Sequence, residues 1–297
     1  MSEYNESINN IEETTSGERK LAPKLYLCAT PIGNMGDITE RARQALEQAD
    51  RIFCEDTRNT GALLERLGIK CKKLTAAHMH NEQEQAEKIA ELVRGGGIAV
   101  YASDAGMPCI SDPGERIVKH FIDNCLPFEV LPGASAALTA AICSGLPTRR
   151  IYFAGFLPRE NKERAEFLAE IKRVKATVVI YESPYRVGAA LEELKAVLGE
   201  RRAAVSRELT KLYEETVRGT LSELAERYKD EAPRGECVIT VSGEGEAGEE
   251  TAESMDEMLI RLMASGMSAK DAAKQTALML DVPRNEAYAR AVELKNS

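Results

Sequence analysis

Hydrophobic positions fall into short apolar runs that alternate with segments of helical period from Lys24 onward. Leu25 to Ala29 predicts a buried strand, stopped by the tight loop Thr30-Pro31-Ile32-Gly33-Asn34. Asp37 is placed to cap the next helix, whose Ala42, Ala45, Leu46 and Ala49 share a face. A strand from Ile52 to Glu55 leads through Asp56-Thr57-Arg58-Asn59 into a second helix. Helical period over Glu82 to Arg94 ends at Gly95-Gly96-Gly97, and a strand over Ile98 to Ala102 follows. The pattern then predicts a helix from Glu115 to Asn124, a strand from Phe128 to Leu131 and a helix from Ala134 to Cys143. Strand–loop–helix order of this kind predicts a largely parallel sheet covered by helices, with ligands gathering at the carboxyl ends of the strands.

Gly145-Leu146-Pro147 marks an interdomain junction. Beyond it strands are predicted at Ile151 to Phe156, Thr177 to Tyr181, Ala203 to Ser206 and Cys237 to Val241. Helices over Lys162 to Val174, Tyr185 to Leu198 and Leu221 to Tyr228 complete a second α/β unit. Three short helices, Ser254 to Ala264, Ser268 to Leu280 and Asn285 to Lys295, follow a Gly/Glu-rich linker. They fit a helix-turn-helix appendage and equally a three-helix packing or dimerisation element. The organisation read from the chain is a flexible leader (1–20), α/β domains over 21–146 and 147–243, a linker (244–253) and a helical domain (254–297).

Composition narrows the class. Of 297 residues, 43% are hydrophobic and 29% charged, ordinary for a folded soluble protein, and no apolar run is long enough to span a membrane. The seven cysteines show no C-x-x-C pair, so neither a zinc cluster nor a redox couple is expected, and a reducing compartment is. A net charge of −9 argues against indiscriminate nucleic-acid binding. A local exception lies between Arg149 and Lys175, where eight basic residues stand against four glutamates. On charge alone a solvated helix surface is the favoured reading, with a nucleic-acid-facing one as the alternative.

Candidate chemistry lies in the loops. Thr30 to Thr39 carries two glycines, and Ser103 to Gly114 packs two Gly, two Pro and two Asp into twelve residues directly after a strand. Leu131 to Ala137 enters a helix through small residues, where amide groups could receive a ligand. Taken singly, these segments also fit a turn, a packed loop and tight helix–sheet packing. Charged groups recur at strand ends in Glu55 to Arg58, Tyr181 to Arg186 and Ser206 to Glu215, as structural ion pairs or as the wall of a cleft. There is no Walker loop, G-x-G-x-x-G or G-x-S-x-G, and His78, His80 and His120 do not stand at metal-ligand spacing, so no metal is expected.

In order, the segments TPIGNMGDIT, EDTRNTG, HNE, SDAGMPCISDPG, LPGASAA, GFLPR, YESPYR and RELTKLYEE resemble the tetrapyrrole-methylase superfamily. Within it they resemble the ribosomal RNA small subunit methyltransferase I group, which methylates a cytidine 2′-hydroxyl. The resemblance covers Leu25 to Ser242, and the helical tail resembles that group's C-terminal helix-turn-helix domain. Tetrapyrrole methylases usually carry G-x-G-P-G-D and G-D-P where this chain has Pro31-Ile32-Gly33 and Gly106-Met107-Pro108, which points away from porphyrin substrates. The resemblance implies two α/β domains of the tetrapyrrole-methylase type with a cofactor cleft between them, plus the small helical domain. It also implies S-adenosyl-L-methionine as cofactor, small-subunit (16S) ribosomal RNA or the small ribosomal subunit as partner, a cytoplasmic location and a homodimer. Carried over by position, Pro31, Asp104, Gly106, Met107, Ile110, Ser135, Ala136 and Tyr181 would border the cofactor. A ribose hydroxyl needs a base or a neighbouring cation. Asp56, Glu182 and Glu208 are candidate bases, and Arg58, Arg186, Arg207 and Lys211 candidate cations, with Asp56, Arg58, Glu208 and Lys211 the first choice. Two other readings share the fold: a methyltransferase acting on a tetrapyrrole, and a non-catalytic RNA-binding assembly factor.

Overall fold

The computed structural model describes residues 20–70, 73–245, 255–280 and 282–296, so Cys71, nearly all of the expected leader and most of the linker lie outside it. In the first lobe β1 (Leu25–Cys28), β2 (Arg51–Cys54), β3 (Leu74–Ala76), β4 (Ala99–Ala102) and β5 (Phe128–Leu131) form one sheet in the order β3-β2-β4-β1-β5. Every pairing in it is parallel, as the strand–helix rhythm predicts. Tyr26 and Cys28 pack with Ala42, Ala45 and Leu46 of α1 (Glu40–Gln48) and Leu64 of α2 (Thr57–Arg66). Leu25 and Leu27 pack on the opposite face with Ile89 of α3 (Glu82–Arg94) and with Ile117 and Phe121 of α4 (Glu115–Asp123). A strand covered on both faces has no polar side, which is why these runs are apolar throughout. Each fully buried Leu, Ile or Phe contributes roughly 1.5–3 kcal/mol.

The cap of α1 corrects one expectation. Thr39, not Asp37, accepts the Ala42 amide, at 3.2 Å. Asp37 belongs to the preceding one-turn helix Met35–Asp37, itself opened by Asn34 accepting the Gly36 amide at 2.9 Å. That extra turn moves the helix start two residues on.

The second lobe holds β6 (Ile151–Phe156), β7 (Thr177–Glu182), β8 (Arg202–Arg207), β9 (Glu215–Thr220) and β10 (Cys237–Val241), in the order β6-β7-β10-β8-β9. Only β6 and β7 are parallel; the other three pairings are antiparallel. α6 (Asn161–Lys172), α7 (Val187–Leu198) and α8 (Leu221–Arg227) cover one face. α5 (Ala136–Ser144) covers the other, burying Ala137, Ala140 and Ala141 against Val179 and Val238, with Ile32 and Leu209 in the same cluster. Alanines on this face let the helix sit close to the sheet, and Gly145 at φ +74° ends it in the left-handed conformation. β3 and β9 were not predicted. β3 is three residues long, and β9 is a half-buried edge strand, ETVRGT, with no apolar run. α9 (Met255–Ala264), α10 (Ala269–Leu280) and α11 (Arg284–Asn296) bury Leu259, Ala272, Ala273, Ala287 and Ala291 among themselves, the three-helix unit expected.

Candidate active site

β1 and β4 are neighbours whose following helices, α1 and α4, lie on opposite faces of the sheet. Their connections therefore diverge, and a crevice opens beyond their carboxyl ends. The loops there are laced together. Thr30 and Gly106 exchange backbone hydrogen bonds of 2.9 and 3.0 Å, Thr30 Oγ1 donates to the Ser103 carbonyl at 3.1 Å, and Ser103 Oγ donates to the Gly106 carbonyl at 2.6 Å. Gly106 sits at φ +79°, and a Cβ there would lie 3.2 Å from Ile32 Cγ2 and 3.4 Å from the Ala134 carbonyl. Cys109 and Ser111 also adopt positive φ, 69° and 63°, a costly conformation for residues with a Cβ. Glu82 anchors the end of this loop: its buried carboxylate accepts the amides of Gly114 at 2.9 Å and Arg116 at 2.7 Å.

Opposite stand strand ends of the second lobe. The β6–β7 register shifts between Phe153 and Gly155, bending the end of β6, and a Cβ on Gly155 would lie 3.6 Å from Ser111 Oγ. Between the lobes is a cavity of about 580 Å³, a size suited to a small-molecule ligand. Its apolar wall includes Ile32, Met107, Ile110, Phe156, Tyr181 and Val238; its polar groups include Ser135, Asp112, Arg159, Glu182, Arg186 and Glu236. Tyr181 is held edge-on by Phe153 and Phe156, at 4.9 and 5.5 Å between ring centres.

Of the residues expected to border a cofactor, Gly106, Met107, Ile110, Ser135, Ala136 and Tyr181 line this cavity. Pro31 and Asp104 are not among its lining residues. Asp104 instead joins two loops, accepting the Asp56 amide at 3.3 Å and Asn59 Nδ2 at 2.7 Å. Ser135 caps α5, so the amide end of that helix faces the cavity wall.

None of Asp56, Arg58, Glu208 and Lys211 lines the cavity. Asp56 caps α2 and grips Arg58, and those hydrogen bonds hold its carboxyl down to about 2, making it a poor proton acceptor. Glu208, at φ +49°, is hydrogen-bonded by Lys211 Nζ at 2.9 Å, which keeps its carboxyl below the ordinary range against the opposing effect of burial. Lys211 also reaches Glu236 at 2.9 Å and packs over Gly33, whose added Cβ would fall 2.4 Å from Lys211 Cγ. With Asn34 donating to Thr210 Oγ1 at 3.0 Å, this turn clasps one lobe to the other. Glu182 and Arg186 do reach the cavity. Glu182 is pushed up by burial against the counter-effects of the Ser183 amide and Arg186.

Sequence reading passed over Asp112, Leu209, Glu236 and Cys237, all on the cavity wall. Asp112 stands inside a loop already marked by its Gly, Pro and Asp content. Glu236 and Cys237 carry no comparable signal, because they lie at the amino end of β10, which faces the cavity only because β10 runs antiparallel to β7. Among the described residues no cluster of His, Cys, Asp and Glu is arranged to hold a metal ion.

The family of Tetrapyrrole (Corrin/Porphyrin) Methylases matches residues 24–225, and the RsmI C-terminal HTH domain matches 249–295. The chain is 42% identical to the ribosomal RNA small subunit methyltransferase I of Mesorhizobium japonicum over 97% of both chains. It is 40% identical to the protein of that name from Bacillus subtilis, over 89% of this chain and 92% of the relative. Among solved structures, uroporphyrin-III C-methyltransferase from Thermus thermophilus complexed with S-adenosyl homocysteine superposes with a TM-score of 0.53 at 20% identity, covering 74% of this chain and 97% of the other. Diphthine synthase superposes at 0.59 and 15% identity, over 74% and 89%; at such identities these two show the fold alone. The chain belongs to the ribosomal RNA small subunit methyltransferase I family, built on the tetrapyrrole-methylase fold.

Proposed function

We propose that the protein methylates the 2′-hydroxyl of a cytidine in small-subunit (16S) ribosomal RNA, with S-adenosyl-L-methionine as donor. The observation that carries this is a cavity walled by loops of one lobe and strand ends of the other, with six residues expected at a methyl donor on its surface. The cavity suits that donor: an apolar wall for an adenine ring, polar groups for an amino-acid end, and a cradle at Gly106 that a Cβ would fill. When bound, the donor supplies an electrophilic methyl on a sulfonium. The protein's part is placement, since aligned reactants gain several kcal/mol from prepaid orientation. Gly106 and Ser135 position the donor from one lobe, and Tyr181 from the other. Asp56–Arg58 and Glu208–Lys211 are assigned to shaping the surrounding loops. Asp104 is assigned to tying the loop after β4 to the Asp56–Asn59 segment, and Pro31 to the loop after β1.

Arg159 and Arg186 at the cavity wall, with the exposed Arg149, Arg150, Lys162 and Lys175 nearby in sequence, suit an RNA backbone despite the acidic whole. A splayed nucleotide would bring its sugar to the methyl. No helix among the described residues is long and apolar enough to cross a membrane, and a cytoplasmic location is proposed. Self-association as a homodimer is favoured by Leu138 and Ile142, 55% and 72% exposed on successive turns of α5. Nucleotide-resolution mapping of 2′-O-methylation in cells with and without the protein tests the function. Loss at one cytidine of the small-subunit RNA is expected; an unchanged map overturns the proposal.

A further inference from the structure

A ribose hydroxyl must lose its proton as its oxygen is methylated, and among the described residues three carboxylates line the cavity: Asp112, Glu182 and Glu236. Glu236 is exposed and bound by Lys211 Nζ at 2.9 Å. Glu182 gives one oxygen to the Ser183 amide at 2.7 Å; its other oxygen is sealed from solvent, 3.6 Å from Arg186. Asp112 differs from both. Among the described residues no hydrogen bond or ion pair engages its carboxylate. It stands two residues before Gly114, where Glu82 pins the loop, and directly after the positive-φ Ser111, so its backbone is held.

We infer that Asp112 is the proton acceptor of the methyl transfer, an inference that rests on the 2′-O-methylation proposed above. The 2′-hydroxyl proton moves to an Asp112 carboxylate oxygen while the ribose oxygen bonds to the methyl carbon. The carbon–sulfur bond breaks with its electron pair retained by sulfur, so the sulfonium charge disappears and Asp112 ends neutral. The charges of Glu55 and Asp104 act on Asp112, and its own charge acts on Tyr101, Cys109 and Tyr181, the last of which lines the same cavity. Arg159 and Arg186 line the cavity too, yet neither pairs with it. Burial, and then the charges of Glu55 and Asp104, push its carboxyl up to about 6. A base in that range is ionised at neutral pH yet strong enough to take a proton, the compromise general-base catalysis favours.

The experiment compares wild type, Asp112→Asn and Asp112→Glu on small ribosomal subunits lacking the methyl mark. It reads single-turnover rate against pH, donor affinity by calorimetry, and carboxyl titration by carbon NMR in ligand-free protein. The Asn variant is expected to lose on the order of 10²–10⁴-fold in rate and the pH inflection, with Glu recovering roughly tenfold. Donor affinity should stay within about threefold of wild type, separating chemistry from binding. The one resonance absent in the Asn variant should titrate near 6. The inference is overturned by an Asn variant within about threefold of wild type, by a retained pH inflection, by loss of donor binding, or by titration at an ordinary aspartate value near 4. Wild-type protein that binds the donor and methylates no small-subunit RNA overturns the function itself, and this inference with it.

Discussion

The two lobes meet one cavity by different means. The first is an all-parallel sheet, so every strand presents its carboxyl end to the same side, and the three loops that shape the cavity all issue from such ends. The one after β4 holds positive φ at Gly106, Cys109, Ser111 and Gly114. The second lobe is mixed, and it offers the carboxyl ends of β6 and β7 beside the amino end of β10. Its contribution joins paired strand residues, such as Tyr181 opposite Val238, to the segments that continue from those strand ends, such as Leu157 to Arg159 and Ser183 to Arg186. Shape thus comes from one strained loop on one side, and on the other from paired strand ends with a bulge at Gly155 and a positive-φ turn about Leu209. Strain is tolerated where neighbouring groups over-determine the backbone, as Glu82, Thr30 and Ser103 do here.

Substitutions can break this contrast. The largest effect is expected from Glu82→Ala, which strips hydrogen bonds from the Gly114, Arg116 and Ile117 amides. A loss of about 3–4 kcal/mol in denaturant unfolding should follow, since bonds to a buried charged acceptor are worth about 1.5–3 kcal/mol each and are not additive. A loss below about 1 kcal/mol would mean that the loop holds its own shape. Next comes Gly106→Val, a β-branched residue at φ +79° and crowded by Ile32. Donor affinity by calorimetry should fall on the order of 100-fold, about 3 kcal/mol, and binding near wild type would remove this loop from the cofactor site.

The second lobe answers to packing. In α7 an added Cβ at Gly188 would lie 2.3 Å from the Tyr228 carbonyl oxygen. Gly188→Ala should therefore cost about 2 kcal/mol in unfolding, where an uncrowded helix would gain about 1 kcal/mol. Donor affinity at low temperature should remain. A stabilised variant would show that the helices are not in close contact.

Asp112→Asn should act in the opposite sense on stability. A carboxyl raised from 3.8 to about 6 makes the folded state bind its proton more tightly, so stability is lost as pH rises from about 4 to about 6. The variant should gain about 1–2 kcal/mol at pH 8, allowing for solvent screening, and nothing at pH 4. Thermal melts at the two pH values read this difference, and equal melting shifts at both would contradict the raised acid. The smallest effect belongs to Lys211→Met, which removes a partly exposed clasp worth at most about 1 kcal/mol. Because Lys211 holds the Glu208 carboxyl down, the difference should be present at neutral pH and shrink as acid protonates Glu208. A constant difference from neutral pH into acid would assign the loss to packing over Gly33.

Strands buried on both faces, helices with one apolar stripe, and loops dense in Gly and Pro are local properties, and the amino-acid order alone determined them. β1, β4, β6, α3 and the Ser103–Gly114 loop could all be placed from the chain. It also placed the family, because eight short segments in order are far more specific than any one of them. Tertiary structure alone decided that β10 runs backwards and brings Glu236 and Cys237 to the cavity, and that α5 covers the second sheet. It alone showed Asp56 and Glu208 tied up by their own neighbours while Asp112 stood unpaired among the described residues. Strand direction and side-chain partnership depend on residues distant in the chain, and a pattern with a period of two or 3.6 residues carries no information about either.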